Sequence, residues 1–178
     1  NNGTGVAGVA WNVRLMPVRV LDGCTGSGTF YDVAQGIRYA AGLANDSGRL
    51  PARPADVINL SLGATGVCDT TSAALFAEVR ARGVAVVAAA GNENTSAQAS
   101  PASCPNVIAV SATGPTRQRA SYSNYGASWV DVAAPGGEMR LDADGDGRPD
   151  GIFSTHASGG GADRYPTFDL LQGTSMAA

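Results

Sequence analysis

The sequence predicts an α/β domain: a doubly wound, mostly parallel sheet with helices on both faces. Three observations carry that expectation. Short β-branched apolar runs alternate with stretches of helical periodicity along the chain. The run "VAVVAAA" is apolar without a break, as a strand buried on both faces must be. Strand–helix–strand order of this kind belongs to sheets whose parallel strands are joined by crossover helices.

The elements follow in order. "VRLMPVRVL" reads as a first strand over residues 13–21. "YDVAQGIRYAAGLA" spaces Val33, Ile37, Ala40, Ala41 and Ala44 as one helical face, with Asp32 in the first turn. "ADVINLSLG" is a buried strand ending at Gly63, and "TTSAALFAEVRARG" is a second helix with Ala74, Leu75, Glu78 and Arg82 at helical spacing. Gly83 closes that helix, because a residue just past a helix end commonly takes the left-handed conformation. "VAVVAAAGN" is the next strand, and "VIAVSAT" and "WVDVAAPG" follow as shorter ones. Beyond residue 137 the pattern breaks into a polar loop, then "GIFST", then a Gly-rich bend. No linker or repeat divides the chain, so residues 1–178 read as part of one domain.

Composition narrows the function. With 178 residues, 44% hydrophobic and 15% charged, the chain has the apolar content of a folded core rather than of a disordered segment. All 12 basic residues are Arg and the net charge is −3, which provides no basic footprint for nucleic acid. No apolar run reaches membrane-spanning length, so neither nucleic acid nor membrane is an expected partner. The three cysteines, Cys24, Cys68 and Cys104, are an odd number. In an oxidising compartment two pair and the third needs a partner elsewhere; in a reducing one all three are small buried hydrophobes.

Ligands of such sheets gather beyond the carboxyl ends of the strands. Here three of those ends, "NLSLG", "AAAGNEN" and "AAPGG", finish in small residues that allow close backbone approach. Asn92, after Gly91, reads by itself as a turn residue. Ser175 in "GTSMA" reads by itself either as a helix N-cap or as a nucleophile at a helix start. "VINLSLG", "AAAGNEN" and "GTSMA", in that order and at these separations, together resemble the subtilisin-like serine peptidases, most closely the secreted bacterial members. "NNGTGVAGVA", "PVRVLD", "SPASCPNVIAVSAT", "ASYSNYG" and "DVAAPGG" extend the resemblance over essentially the whole chain.

That resemblance implies a subtilisin-like fold and a role for named residues. Ser175 is the implied nucleophile and Asn92 the implied side-chain donor of the oxyanion hole, with the Ser175 N–H as second donor. Ser61, Leu62 and Gly63 correspond to one strand edge that pairs with substrate, and Gly26, Ser27 and Gly28 to the opposite edge. Ala89, Ala90 and Gly91 correspond to a wall of the pocket for the residue before the cut. A nucleophile elbow of the esterase kind wants G-x-S-x-G, and Ala177 stands at its last position. The family also needs an Asp and a His ahead of the Ser. The one histidine, His156 in "FSTHASGGG", lies where the family has no base, and neither Asp22 nor Asp32 matches its aspartate. The expectation is a central and C-terminal part of a catalytic domain, with the Asp and His motifs upstream and the rest of the Ser helix downstream. Such a part is inactive alone. Protein or peptide substrates, a propeptide outside the chain, a monomeric state and secretion are implied as well.

Two metal sites are expected. "LDADGDGRPDG" places Asp142, Asp144, Asp146 and Asp150 in one loop with Gly147 at a turn, and D-x-D-x-D-G is the first half of a calcium-loop pattern. Phe153 stands where that pattern wants its Glu, which leaves Asp150 as the later ligand. The resemblance implies a second structural Ca²⁺ at "NNGTGV", through the Asn2 side chain and the Thr4 and Val6 carbonyls. It also identifies the strands that precede two cysteines. Cys68 follows the "SLG" strand and Cys104 follows the oxyanion strand. Those strands are neighbours in a parallel sheet, so their loops emerge on one side and Cys68–Cys104 is the expected disulfide. Cys24 is left to a partner outside the chain.

Overall fold

The computed structural model describes residues 3–158 and 165–178. Helix α1 (Phe30–Ala40) starts where Thr29 accepts the Asp32 N–H with its side chain. It buries Val33, Ile37 and Ala40, the face the periodicity predicts, but Leu43 rather than Ala44 continues the burial beyond it. Strand β1 (Val57–Leu60) and the short β2 (Ala64–Thr65) lead to α2 (Thr70–Ala81). Asp69 caps α2 by accepting the Thr71 and Ser72 N–H groups at 2.8 and 2.9 Å. The buried face of α2 is Ser72, Leu75, Phe76 and Val79, one step round from the Ala74–Glu78 line read in the sequence. Gly83, at φ +79°, ends it as expected. Strands β3 (Ala85–Ala89), β4 (Ala99–Ser100), β5 (Val107–Thr113) and β6 (Val132–Pro135) follow. The hairpin strands β7 (Ile152–Ser158) and β8 (Tyr165–Leu171) and the single turn α3 (Thr174–Ala177) complete the described chain.

The main sheet has the order β1-β3-β5-β6 with every neighbouring pair parallel. Its register places Ile58, Val86 and Val107 on one face, with Leu60, Ala88 and Ala109 in the next row. That face packs on α1 and α2 through Val33, Ile37, Leu75, Phe76 and Val79 in one core. Phe76 and Val79 are fully buried, and each contributes roughly 1.5–3 kcal/mol by leaving water. On the opposite face Val57, Ile108 and Val132 remain exposed, while α3 meets β3, β5 and β6 at their carboxyl ends, beside Ala112.

One expectation about the sheet changes. Residues 13–21 are not a strand: they lie alongside α1 with Val18 and Val20 half-buried and Arg19 exposed. The alternation therefore survives without a ladder, and Gly36 of α1 provides the room, since a Cβ there would sit 2.4 Å from Val20 Cγ1. "GIFST", which the sequence left without an element, is strand, and the Gly-rich bend after it lies outside the described residues. That strand is β7, which pairs antiparallel with β8 over seven residues, Ile152↔Leu171 to Ser158↔Tyr165. Phe153 and Phe168 stack at 5.6 Å on this hairpin. Polar residues alternate with them along an exposed ribbon, so no buried apolar run marked it in the sequence.

The neighbouring positions of β1 and β3 bring the following loops together as expected. Cys68 and Cys104 form a disulfide with Cα atoms 4.9 Å apart, closing a loop of sequence separation 36. In the chain-entropy account such a loop stabilises the fold by about 4 kcal/mol. Cys24 is a free, exposed thiol.

Candidate active site

A cleft of about 200 Å³ opens at the carboxyl end of the sheet. Its walls are Ser61, Leu62 and Gly63 after β1, Ala64 and Thr65 of β2, Ala89 at the end of β3 with Gly91, Asn92 and Glu93 after it, Ala99 of β4, and Thr174 and Ser175 of α3. The third strand end does not line it but holds the residue that precedes α3. The Gly136 carbonyl accepts the Gly173 N–H at 2.9 Å and the Tyr122 hydroxyl at 2.8 Å. A Cβ on Gly136 would lie 2.5 Å from Ala112 Cβ and 2.7 Å from the Gly173 carbonyl, so only glycine permits this approach.

Ser175 lies in the first turn of α3, and the N-cap is Gly173, at φ +156° with no side-chain cap. The capping alternative for Ser175 therefore falls away. Its hydroxyl points to the Ser61 carbonyl at 3.4 Å, while the Ser61 hydroxyl donates to the Ser175 carbonyl at 2.9 Å and accepts from Asn59 Nδ2 at 3.0 Å. No imidazole or carboxylate contacts the Ser175 hydroxyl among the described residues.

Thr174 orients Asn92. The Asn92 Oδ1 accepts the Thr174 N–H at 2.9 Å and the Thr174 hydroxyl at 3.0 Å, and the Thr174 Oγ1 itself accepts the Gly91 N–H at 3.1 Å. With Oδ1 taken twice, the donor nitrogen Nδ2 faces away from Thr174. A Cβ built on Gly173 would lie 3.8 Å from Asn92 Nδ2 and 3.6 Å from Ser175 N. Two N–H groups thus lie within 4 Å of one point beside Gly173, with Met176 Sδ 3.5 Å from it. Such a pair can stabilise negative charge on an oxygen that forms there.

The other expected residues divide. Ser61, Leu62, Gly63, Ala89 and Gly91 line the cleft, but Ala90 does not: it is fully buried behind it. The alternation of β3 carries on past its last ladder pair and turns the Ala90 side chain into the core. Ser61–Gly63 lies beyond the end of β1 rather than in a strand. Gly26, Ser27 and Gly28 do not line the cleft; they belong to a turn in which Asp22 N–H donates to the Ser27 carbonyl at 2.9 Å. His156 sits in β7 opposite Thr167, exposed and outside the cleft. Thr174 and Glu93 line the cleft and were not singled out in the sequence, where a Thr before a Ser and a Glu after an Asn carry no pattern of their own.

In the acidic loop, carboxylate oxygens of Asp142, Asp144 and Asp146 all lie within 4.8 Å of one another. The Asp142 oxygens accept the N–H groups of Asp146 and Gly147 at 3.1 and 3.0 Å, which folds the loop around them. Asp150, expected as the later ligand, is outside this group; its Oδ2 accepts the Ala143 N–H at 2.6 Å. Three convergent carboxylates are hard oxygen donors, the kind Ca²⁺ prefers. Of the second expected site, Asn2 lies outside the described residues, and Thr4 and Val6 are exposed. No described helix is long and apolar enough to cross a membrane.

Comparison with known proteins places this geometry among relatives. A sequence model described as "Subtilase family" matches residues 1–178. The chain is 41% identical to an extracellular protease of Xanthomonas campestris, over 100% of this chain and 28% of that protein. It is 42% identical to thermitase of Thermoactinomyces vulgaris, over 99% of this chain and 52% of the relative. Among solved structures, a protease of Pseudoalteromonas arctica superposes with a TM-score of 0.89 at 43% identity, covering 100% of this chain and 51% of the other. The chain therefore spans about half or less of the length of these relatives.

Proposed function

Because the chain belongs to the Subtilase family, we propose that it provides the nucleophile and oxyanion hole of a secreted serine endopeptidase. Ser175 Oγ attacks the carbonyl carbon of a peptide bond. The carbonyl oxygen becomes negative and is received by Asn92 Nδ2 and the Ser175 N–H. The amine leaves with the proton taken from Ser175 Oγ, an acyl group remains on that oxygen, and water then attacks the acyl carbon, releasing the acid and restoring the hydroxyl. The observation that supports this reading is that Asn92 Nδ2 and the Ser175 N–H lie within 4 Å of one point beside Gly173, in a cleft that Ser175 lines. Ser61–Gly63 offers backbone to an extended substrate, and the small side chains of Ala89, Gly91 and Ala99 leave room for the residue before the cut.

Attack on a peptide needs a base for the Ser175 proton. His156 is the one histidine and lies outside the cleft. The proposal therefore assigns the general base and its aspartate to residues outside these 178, and expects little or no turnover from this chain alone. A propeptide outside the chain and a monomeric state belong to the same reading. Protein or peptide substrates follow from the family, and secretion accords with relatives named as extracellular proteases. The test is labelling: the complete protein, treated with a fluorophosphonate probe and digested, should carry the label on the peptide containing Ser175. Label on another residue, or none on an enzyme that cleaves peptides, would overturn the assignment.

Structural calcium is a general property of subtilases. We assign it here to Asp142, Asp144 and Asp146, whose mutual repulsion a bound cation would relieve. Ca²⁺ should raise the thermal midpoint of the complete protein, and Asp144→Ala combined with Asp146→Ala should remove much of that rise. A calcium response unchanged in the double variant would show that the loop is only solvated.

A further inference from the structure

Asn124 has no part in the reaction above, yet its side chain is among the most buried polar groups, at 1% exposure. Its backbone N–H donates to the Gly91 carbonyl at 3.0 Å. Its Oδ1 accepts the N–H groups of Glu93 and Thr95 at 3.0 and 3.1 Å. Its Nδ2 donates to the Ala90 carbonyl at 3.0 Å and to the Glu93 carboxylate at 2.7 Å. A carboxamide has two acceptor and two donor positions. All four are spent on one loop, residues 90–95, and Asn92 stands at its centre. The fit is close: Gly91 is held at φ +104°, and a Cβ on it would lie 2.4 Å from Asn124 Nδ2 and 2.6 Å from Glu93 Oε2.

The loop is also held by the Ala90 N–H on the Val110 carbonyl at 3.0 Å, the Asn94 N–H on the Tyr122 carbonyl at 2.8 Å, the Tyr125 N–H on the Thr95 carbonyl at 3.1 Å and Arg119 on Asn94 Oδ1 at 2.8 Å. What Asn124 adds is one side chain bonded to the backbone on both sides of Asn92. Thr174 anchors the Asn92 side chain, and Asn124 anchors the backbone before and after it. We propose that Asn124 is a positioning residue for catalysis, which aligns Asn92 Nδ2 with the Ser175 N–H by holding the backbone on both sides of Asn92. Through the same amide it pins the Glu93 carboxylate in the cleft wall. The inference rests on the peptidase reading above. An oxyanion donor displaced by about 1 Å can cost roughly 10²-fold in rate while substrate still binds.

The experiment is a double-mutant cycle in the complete enzyme. Asn124→Asp keeps the acceptor and replaces the donor; Asn124→Ala removes both and keeps the backbone N–H. Each is combined with Asn92→Ala, and active molecules are counted by fluorophosphonate titration. In the wild-type background Asn124→Asp should lower kcat by roughly 10²-fold with a smaller change in KM. In the Asn92→Ala background, where the donor is already gone, the same change should cost less than about threefold. Effects that multiply in full would make Asn124 a support of the fold alone and overturn the proposal. So would an unchanged kcat, or failure of both Asn124 variants to yield titratable protein. An inactive wild-type enzyme would sink the peptidase reading, and this inference with it. Active wild type with multiplying effects would sink only the inference.

Discussion

Ser175→Ala in the complete enzyme should reduce kcat by about 10⁶-fold, the scale at which a serine peptidase loses its covalent route. The reason is chemical rather than structural. The hydroxyl makes one long contact, 3.4 Å to the Ser61 carbonyl, and Ala at this position adds no volume. The thermal midpoint should therefore stay within a degree or so of wild type, since a partly exposed Oγ with a weak partner contributes little to stability. The donors that flank Gly173 are the Asn92 amide and a backbone N–H, and both persist in the variant. Substrate should bind with near-normal affinity and stay uncut. Activity near the wild-type level would show that another residue is the nucleophile. A collapse of stability with the loss of activity would leave the chemistry of Ser175 unsupported.

The sequence offered this site through the resemblance: alone, Asn92 reads as a turn residue and Ser175 as a cap or a nucleophile, and only the motifs taken together in order suggest the pair. "GTSMA" and "AAAGNEN" each sit at a junction of an apolar run and a polar turn, where the period of hydrophobicity changes. That the strands run parallel followed from their apolar character, and the Cys68–Cys104 bond from the neighbouring strands that the resemblance identified before the two cysteines. What was not legible depends on contacts far apart in the chain. Asn124 in "SYSNYG" is indistinguishable from a turn residue until residues 90–95 lie against it, 29–34 positions earlier. Thr174 acquires its role only from Gly91 and Asn92, more than 80 positions away. Residues 13–21 mislead in the other direction: β-branched alternation is satisfied by packing Val18 and Val20 on Gly36, with no ladder. Periodicity reports which side chains are buried, and it is silent on where the backbone hydrogen bonds go.

Asn92→Ala should lower kcat by about 10²–10³-fold with KM nearly unchanged, which is the signature of a donor used only in the transition state. In the ground state the substrate carbonyl is neutral and planar; the charge that Nδ2 receives appears only as the oxygen moves toward the two donors. The geometry also predicts an order among variants. Thr174→Val removes the hydroxyl that donates to Asn92 Oδ1 at 3.0 Å and leaves the backbone donor at 2.9 Å in place. The amide then keeps one of its two anchors, so the loss should be nearer tenfold, about the free energy of one hydrogen bond. The Gly91 N–H also loses its acceptor Oγ1 in that variant, so part of the cost should appear as a lower thermal midpoint. Asn92→Ala should lower the midpoint too, because it leaves the N–H and the hydroxyl of fully buried Thr174 without their acceptor. The two substitutions are therefore separated by kcat and not by stability. The reverse ranking in kcat, with Thr174→Val the more damaging, would mean that Thr174 rather than Asn92 supplies the critical donor.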